Sequence, residues 1–150
     1  MATYSFSDVA GTSMAFVPAQ DLLAFPAGVS AAALRFATAG ADLLVSVGPD
    51  TVRLLGIGLG GTGLAAANLV FQDGSLFILD GPASNLRTGS DFGDWIGADR
   101  GGDDRISAGA GDDYIRAGSA LNALDTIDGG AGTGDILFLS GTVSVVLGPL

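Results

Sequence analysis

A short motif, an aspartate followed by any residue and then isoleucine or leucine, recurs along the second half of the chain. Its five copies begin at Asp94, Asp104, Asp113, Asp125 and Asp135, at successive spacings of 10, 9, 12 and 10 residues. A glycine-containing turn precedes the copies, most clearly in AGAGDD and GGAGTGD. A period of nine or ten residues, with glycine turns and one inward apolar residue, is typical of a parallel β-solenoid. The repeat therefore predicts this fold for residues 89–150.

The composition favours strands and turns over helices throughout the chain. All 16 acidic residues are aspartate, all 6 basic residues are arginine, and 25 residues are glycine. Good helix formers such as glutamate and lysine are missing, whereas residues that favour turns are abundant. In residues 1–88, short apolar or alternating runs such as ALRFA, DLLVSV and TVRLL predict strands. We expect an all-β protein: a β-rich N-terminal region, sandwich- or solenoid-like, over residues 1–88, then a short parallel β-roll over residues 89–150 with a C-terminal closing strand.

The residue types present also limit the chemistry. The sequence contains no histidine and no cysteine, so the usual ligands of zinc, copper, haem and iron–sulfur clusters are missing, as are thiol and imidazole catalysts. Aspartate carboxylates and backbone carbonyls remain in quantity, and these hard oxygen donors suit Ca²⁺. We therefore expect a binding or structural protein and not an enzyme. Paired-carboxylate hydrolysis at Asp103–Asp104 or Asp112–Asp113 stays open as a less favoured alternative.

The charge distribution limits the partners. The net charge is −10, which argues against binding to nucleic acid or to anionic membranes. Residues 89–150 carry ten aspartates and three arginines, a net charge of −7. Residues 54–72 are uncharged, but they contain five glycines and several polar residues, so we expect no membrane span. The N-terminal sequence MATYSFSD lacks the basic region of a secretory signal peptide.

The repeats resemble the RTX (repeats-in-toxin) family of calcium-binding repeats, whose pattern is GGxGxDxUx with U a large apolar residue. The best copy is AGAGDDYIR, residues 108–116, which departs from the pattern only at Ala108. The copies at residues 89–97, 99–107, 117–128 and 129–138 match less well, and the last two carry insertions before Asp125 and Asp135. The β-rich segment before the repeats is more loosely similar to the segment that often precedes them in exported proteins.

The resemblance implies where calcium binds. In the family, Ca²⁺ lies between every second turn on the same side, which here pairs Asp94 with Asp113, Asp113 with Asp135, and Asp104 with Asp125. The implied ligands, motif carboxylates and turn carbonyls together, are Asp94, Gly102, Asp104, Gly109, Gly111, Asp113, Ala117, Ser119, Asp125, Gly129, Ala131 and Asp135. We expect about two or three calcium ions, and the turn at Asp113 is the best match. Asp21 also begins an Asp-x-Leu run, but no glycine turn precedes it, so we interpret it as an ordinary residue at the start of a strand.

The resemblance also implies a function. It indicates a calcium-binding structural module that is secreted or displayed at the cell surface through a signal-peptide-independent, type I-like route. Such a roll would order when it meets calcium outside the cell. Because solenoid ends are open, self-association into fibres or a surface layer is a further expectation.

A different class of function follows from the segment GIGLGG. Gly56, Gly58 and Gly61 satisfy the spacing G-x-G-x-x-G, and Asp80 lies 19 residues beyond Gly61. This spacing is typical of an NAD- or FAD-binding oxidoreductase domain, which requires a helix directly after the glycines. Residues 68–79 also match a β-hairpin with an Asp-Gly turn. We favour a strand that ends in a glycine loop, and keep the nucleotide site as the alternative.

Overall fold

The computed structural model describes residues 1–60 and 62–142, and the protein is nearly all β, with 43% of residues in strands and 7% in helices. Along the first half lie β1 (Ala2–Ser5), α1 (Phe6–Val9), β2 (Ser13–Ala15), β3 (Asp21–Phe25), a 3₁₀ helix (Ala31–Ala33), β4 (Leu34–Ala39), β5 (Asp42–Val47) and β6 (Asp50–Leu55). The second half contains a 3₁₀ helix (Ala66–Asn68), β7 (Leu69–Phe71), β8 (Phe77–Leu79), β9 (Leu86–Thr88), β10 (Trp95–Ala98), β11 (Arg105–Ser107), β12 (Tyr114–Ala117), β13 (Thr126–Asp128) and β14 (Ile136–Leu139). The predicted all-β class is confirmed.

Strands β8 to β14 form a parallel β-solenoid, which confirms the predicted architecture. Successive strands alternate between two sheets, one ordered β14-β12-β10-β8 and the other β13-β11-β9. Each strand is parallel to the strand two further along the chain, as in the pairing of Trp95 with Tyr114. The two sheets of the repeats begin at β8 and β9, which both precede residue 89.

A thin apolar core fills the solenoid. Ile96, Ile106 and Ile115 are at most 2% exposed, and they contact one another together with Ala98 and Ala108. Because side chains alternate along a strand, the isoleucine of each Asp-x-Ile motif points inward while its neighbours point outward. Each half-coil therefore adds only one large apolar side chain to this core, and the coils stabilise one another by stacking.

The N-terminal region supplies a second and larger core. Strands β1, β3 and β7 form a parallel sheet, and β2 is parallel to β6, which continues antiparallel through β5 to β4. Phe36 of β4 packs against the rings of Phe77 and Trp95 on the outer face of the solenoid, at centroid distances of 5.2 and 5.4 Å. Trp95 and Tyr114 are 2% and 9% exposed as a result. The two cores are thus joined across one face of the roll.

One local prediction is wrong, and the helix that the nucleotide alternative requires is missing from the described residues. The hairpin predicted for residues 68–79 is wrong: β7 pairs in parallel with β3, and β8 pairs in parallel with β10. The bend at Gly74, with φ of +92°, instead connects two different sheets. After β6, the only helical element before β7 in the described part of the chain is the 3₁₀ turn Ala66–Asn68.

Some expectations lie beyond the described residues. Gly61, the last glycine of the G-x-G-x-x-G spacing, is outside them, as are residues 143–150 of the tail. The expected closing strand is therefore described only as far as β14 and the two turn residues that follow Ser140. Across residues 1–60 and 62–142, no helix has the length and hydropathy needed to cross a membrane.

Candidate metal centre

The motif aspartates form two columns along the solenoid. Each aspartate directly precedes its strand, and its Oδ1 accepts a hydrogen bond from the backbone N–H at the same place one coil earlier. In the first column, Asp113 accepts from the amide of Asp94 at 2.7 Å, and Asp135 accepts from the amide of Asp113 at 3.0 Å. In the second column, Asp125 accepts from the amide of Asp104 at 2.7 Å. The structure therefore brings together the same residues that the sequence pairs on each side.

The front of each column is also anchored. Asp94 accepts from the amide of Leu76 at 2.6 Å and from the hydroxyl of Ser90 at 2.8 Å, and its Oδ2 accepts from the Ser90 amide. Asp104 accepts from the amide of Asn85 at 3.0 Å. Both carboxylate oxygens of Asp94 thus accept hydrogen bonds from backbone amides or from the Ser90 hydroxyl.

The glycine turns stack beside the first column. The amide of Ala131 donates to the carbonyl of Gly109 at 2.8 Å, and the amide of Gly111 donates to the carbonyl of Ala131 at 3.3 Å. Gly109 has φ of +109°, and a Cβ placed on it would lie 2.1 Å from the carbonyl oxygen of Ser90. Only glycine tolerates both this dihedral angle and this approach. A Cβ on Gly129 would likewise lie 2.8 Å from Oδ2 of Asp135.

Of the remaining predicted carbonyl donors, Gly102 and Ser119 lie in turns of the second column, whereas Ala117 is the last residue of β12. The carbonyl of Gly102 accepts from Nδ2 of Asn122 at 2.8 Å, and the carbonyl of Ala117 accepts from the amide of Ser140 at 2.9 Å. Ser119 lies in the exposed turn that leads to Asp125. Several expected carbonyl ligands are therefore engaged in hydrogen bonds between coils.

Asp113 has the most unusual electrostatic environment. It is 1% exposed, and its Oδ2 is buried without a hydrogen-bond partner in the described residues. Burial raises the pKa of this carboxyl to about 6, and the neighbouring charges of Asp94, Asp135 and Asp112 act in the same direction. The hydrogen bond from the Asp94 amide opposes this rise. A buried carboxylate oxygen of this kind lacks a compensating positive charge.

The donor set can be compared with the needs of Ca²⁺. Each column offers carboxylate and carbonyl oxygens, which are the ligands that this cation binds. No three acidic side chains converge into a ready cluster within the described ranges, so an ion here would need turn carbonyls in addition to carboxylates. The turns would then exchange some hydrogen bonds between coils for bonds to the ion. The oxygen chemistry and the lone Oδ2 of Asp113 fit Ca²⁺ on these terms.

Sequence reasoning missed a third, related column in the N-terminal region. Asp21, which is 8% exposed, accepts from the amide of Val17 at 2.8 Å and from the amide of Ala2 at 3.3 Å. Asn68, which directly precedes β7, donates through Nδ2 to the carbonyl of Asp21 at 2.9 Å. The Asp-x-Leu pattern at Asp21 was the available signal, and the missing glycine turn concealed it. Asp21 does begin β3, as predicted, but it is also buried, and its carboxylate accepts hydrogen bonds from two backbone amides.

The described part of the GIGLGG segment, residues 56–60, lies in a loop after β6. The amide of Gly56 donates to Asp42 at 2.7 Å, and the amide of Leu64 donates to the carbonyl of Gly58 at 2.8 Å. The carboxylate of Asp80 is buried and paired with Arg87, and burial raises its pKa. The nucleotide alternative thus lacks, in the described residues, the helix on which it depends. No protein-family model, no curated protein and no solved structure matches this chain.

Proposed function

We propose that this protein is a non-enzymatic calcium-binding structural module whose β-roll is stabilised by Ca²⁺ bound along the aspartate columns. The observation that carries the proposal is Asp113: a fully buried carboxylate whose Oδ2 has no partner in the described residues, placed between Asp94 and Asp135. A divalent cation bound there would supply the missing charge and the missing ligand interaction. The resemblance of residues 108–116 to RTX calcium repeats supports the same assignment.

The charge of the roll supports a link between calcium and folding. Residues 89–150 carry ten aspartates against three arginines, and the columns stack carboxylates on successive coils. Without a cation, this repulsion opposes the coiled state, while each half-coil adds only one large apolar side chain to the inner core that favours it. A ligand that binds the coiled state alone therefore shifts the equilibrium toward folding.

The setting that fits such a module is the cell exterior. Calcium sites in extracellular proteins commonly have dissociation constants of about 10⁻⁴–10⁻³ M, which matches a roll that stays unfolded inside the cell and orders after export. We therefore propose secretion or cell-surface display by a signal-peptide-independent route.

Self-association is a second candidate role, and one observation favours it. Within the described residues, β14 is the outermost strand of its sheet, and Ile136, Leu137 and Phe138 are each 46–48% exposed. A parallel edge strand with apolar side chains on both faces is a template for pairing with another chain. Light scattering with and without added calcium tests this role, and a monomer at all calcium concentrations would contradict it.

Calcium titration tests the main proposal. We expect the far-ultraviolet circular dichroism of the chelator-treated protein to gain β-signal as calcium is added, whereas magnesium at the same concentration produces little change because it requires a tighter octahedral site. Isothermal titration calorimetry would give the number of ions bound. Identical spectra and identical thermal midpoints in chelator and in calcium would contradict the proposal.

A further inference from the structure

A cleft lies between β4 and the outer face of the sheet β14-β12-β10-β8. It encloses about 460 Å³ and is lined by two arginines and four aromatic residues, namely Arg35, Phe36, Trp95, Tyr114, Arg116 and Phe138. A neighbouring cleft of about 400 Å³ shares Trp95 and Arg116 with it and adds Arg100. Volumes of this size are typical of small-molecule sites. None of these residues belongs to the aspartate columns.

The arginines in the cleft stand out in a protein of net charge −10. Three of the six arginines in the chain line the two clefts. Arg116 pairs with Asp99 at 3.2 Å, whereas Arg35 and Arg100 have no carboxylate within 4.0 Å among the described residues. Although the chain has 16 aspartates, these two arginines of neighbouring clefts have no acidic partner among the described residues, which leaves local positive charge there.

Arg35 is held in a fixed orientation. Its guanidinium carbon lies 4.1 Å from the centroid of the Tyr114 ring, and its Nη1 donates to the carbonyls of Ala32 and Leu34 at 2.7 and 2.8 Å. Its Nε and Nη2 have no acceptor in the part of the chain that the structure describes. These two atoms form one edge of the guanidinium fork, which is the geometry that binds a carboxylate through two parallel hydrogen bonds.

Aromatic rings form the apolar wall of the cleft. Phe77, Trp95, Tyr114 and Phe138 lie on four neighbouring strands, with successive ring centroids 4.8, 6.1 and 6.1 Å apart. The row ends at Phe138, which is 46% exposed. An exposed ring beside an unpaired guanidinium edge offers a flat apolar contact and a charged contact at one site.

We propose that this cleft binds a small aromatic carboxylate. The carboxylate accepts hydrogen bonds from Nε and Nη2 of Arg35, with the charge of Arg116 nearby, and the ring of the ligand lies against Phe138 and Phe36. This site goes beyond calcium binding, because it lies on the outer face of the sheet and uses no motif aspartate.

The sole tryptophan of the chain, Trp95, lines the cleft and provides the readout. We would titrate the full chain with phenylacetate while following tryptophan fluorescence, in parallel with acetate, which lacks the ring, and phenylacetamide, which lacks the charge. We expect a saturable fluorescence change with phenylacetate and about tenfold weaker binding of either comparator. Phenylacetamide binding as tightly as phenylacetate, or no response to phenylacetate, would overturn the proposal.

Variants locate the site. Arg35→Gln should weaken phenylacetate binding about tenfold, and Arg35→Lys should restore part of the loss because it keeps the charge without the fork. Arg105→Gln is the matched control, since Arg105 is exposed on β11 in the other sheet. Thermal midpoints in calcium verify that each variant is folded. The site would be refuted if Arg35→Gln and Arg105→Gln weaken phenylacetate binding equally, or if neither weakens it. If Arg35→Gln does not fold, acetate and phenylacetamide binding to the unmodified chain tests the proposal.

Discussion

The substitution Asp113→Asn removes one charge from the centre of the first aspartate column while keeping the size of the side chain. The asparagine Oδ1 can still accept the hydrogen bond that the Asp94 amide donates at 2.7 Å. The second carboxylate oxygen, buried and unpartnered in the described residues, becomes an amide nitrogen that cannot bind a cation. If Ca²⁺ binds at this oxygen, the substitution should have opposite effects with and without calcium.

The magnitudes follow from the burial of Asp113. Its pKa is raised from 3.8 to about 6, and a tenfold change in proton affinity corresponds to about 1.4 kcal/mol. At neutral pH the buried charge therefore costs the calcium-free fold about 3 kcal/mol. Burying the new amide donors without acceptors costs about 1–3 kcal/mol, which offsets much of the gain. In chelator we expect Asp113→Asn to have the stability of the wild type or up to about 2 kcal/mol more.

In calcium the order should reverse. A cation at a hundred times its dissociation constant stabilises the folded state by about 2.7 kcal/mol, and Asp113→Asn should lose most of this increment. Urea denaturation in chelator and in calcium measures both quantities. Asp103→Asn is the control, because it removes the same charge at an exposed position half a coil away. A full calcium increment in Asp113→Asn, or a loss in chelator as large as that in calcium, would refute the reasoning.

Three further predictions concern pH, the glycine turns and the N-terminal column. The folded pKa of Asp113 is raised above the unfolded value. Its protonation therefore stabilises the calcium-free fold below about pH 4, and this contribution is lost as pH rises through 6. The midpoints of urea denaturation in chelator should fall over this pH range, and a rise would contradict the assignment. Gly109→Ala should destabilise the fold by about 1–3 kcal/mol, because Gly109 has φ of +109° and a Cβ there would clash with a neighbouring carbonyl. Gly81→Ala is the control: a Cβ on Gly81 meets nothing within 4 Å, so this variant should have nearly the thermal midpoint of the wild type. Asp21→Ala leaves two backbone amides without their acceptor and should lower the free energy of unfolding by about 2 kcal/mol. The stabilisation that calcium adds, measured by urea denaturation, should stay complete. Asp50→Ala, at an exposed position, is the control, and loss of the calcium stabilisation in Asp21→Ala would show that the N-terminal column also binds the ion.

The repeat by itself determined the fold of the second half. One Asp-x-Ile unit every nine to twelve residues places an inward side chain and a strand start on each half-coil, so the parallel stacking follows from the period. The pairing of Asp113 with Asp94 and Asp135 was implied by the resemblance to the calcium-binding repeats. The glycine turns carried the same information, because close stacking of the turns excludes a Cβ at Gly109. Local sequence was sufficient here because the repeat spacing sets the length of each half-coil.

The tertiary structure decided what the spacing does not encode. The Asp-Gly turn after β7 is compatible with a hairpin, yet β7 and β8 have parallel partners in different sheets. The buried role of Asp21 depends on β1, which lies 19 residues earlier. Trp95 is buried because Phe36 of β4, a strand of another sheet, packs against its ring. Each of these contacts joins segments that are distant in sequence, and turn chemistry fixes the direction of a bend but not the partner that the strand then meets.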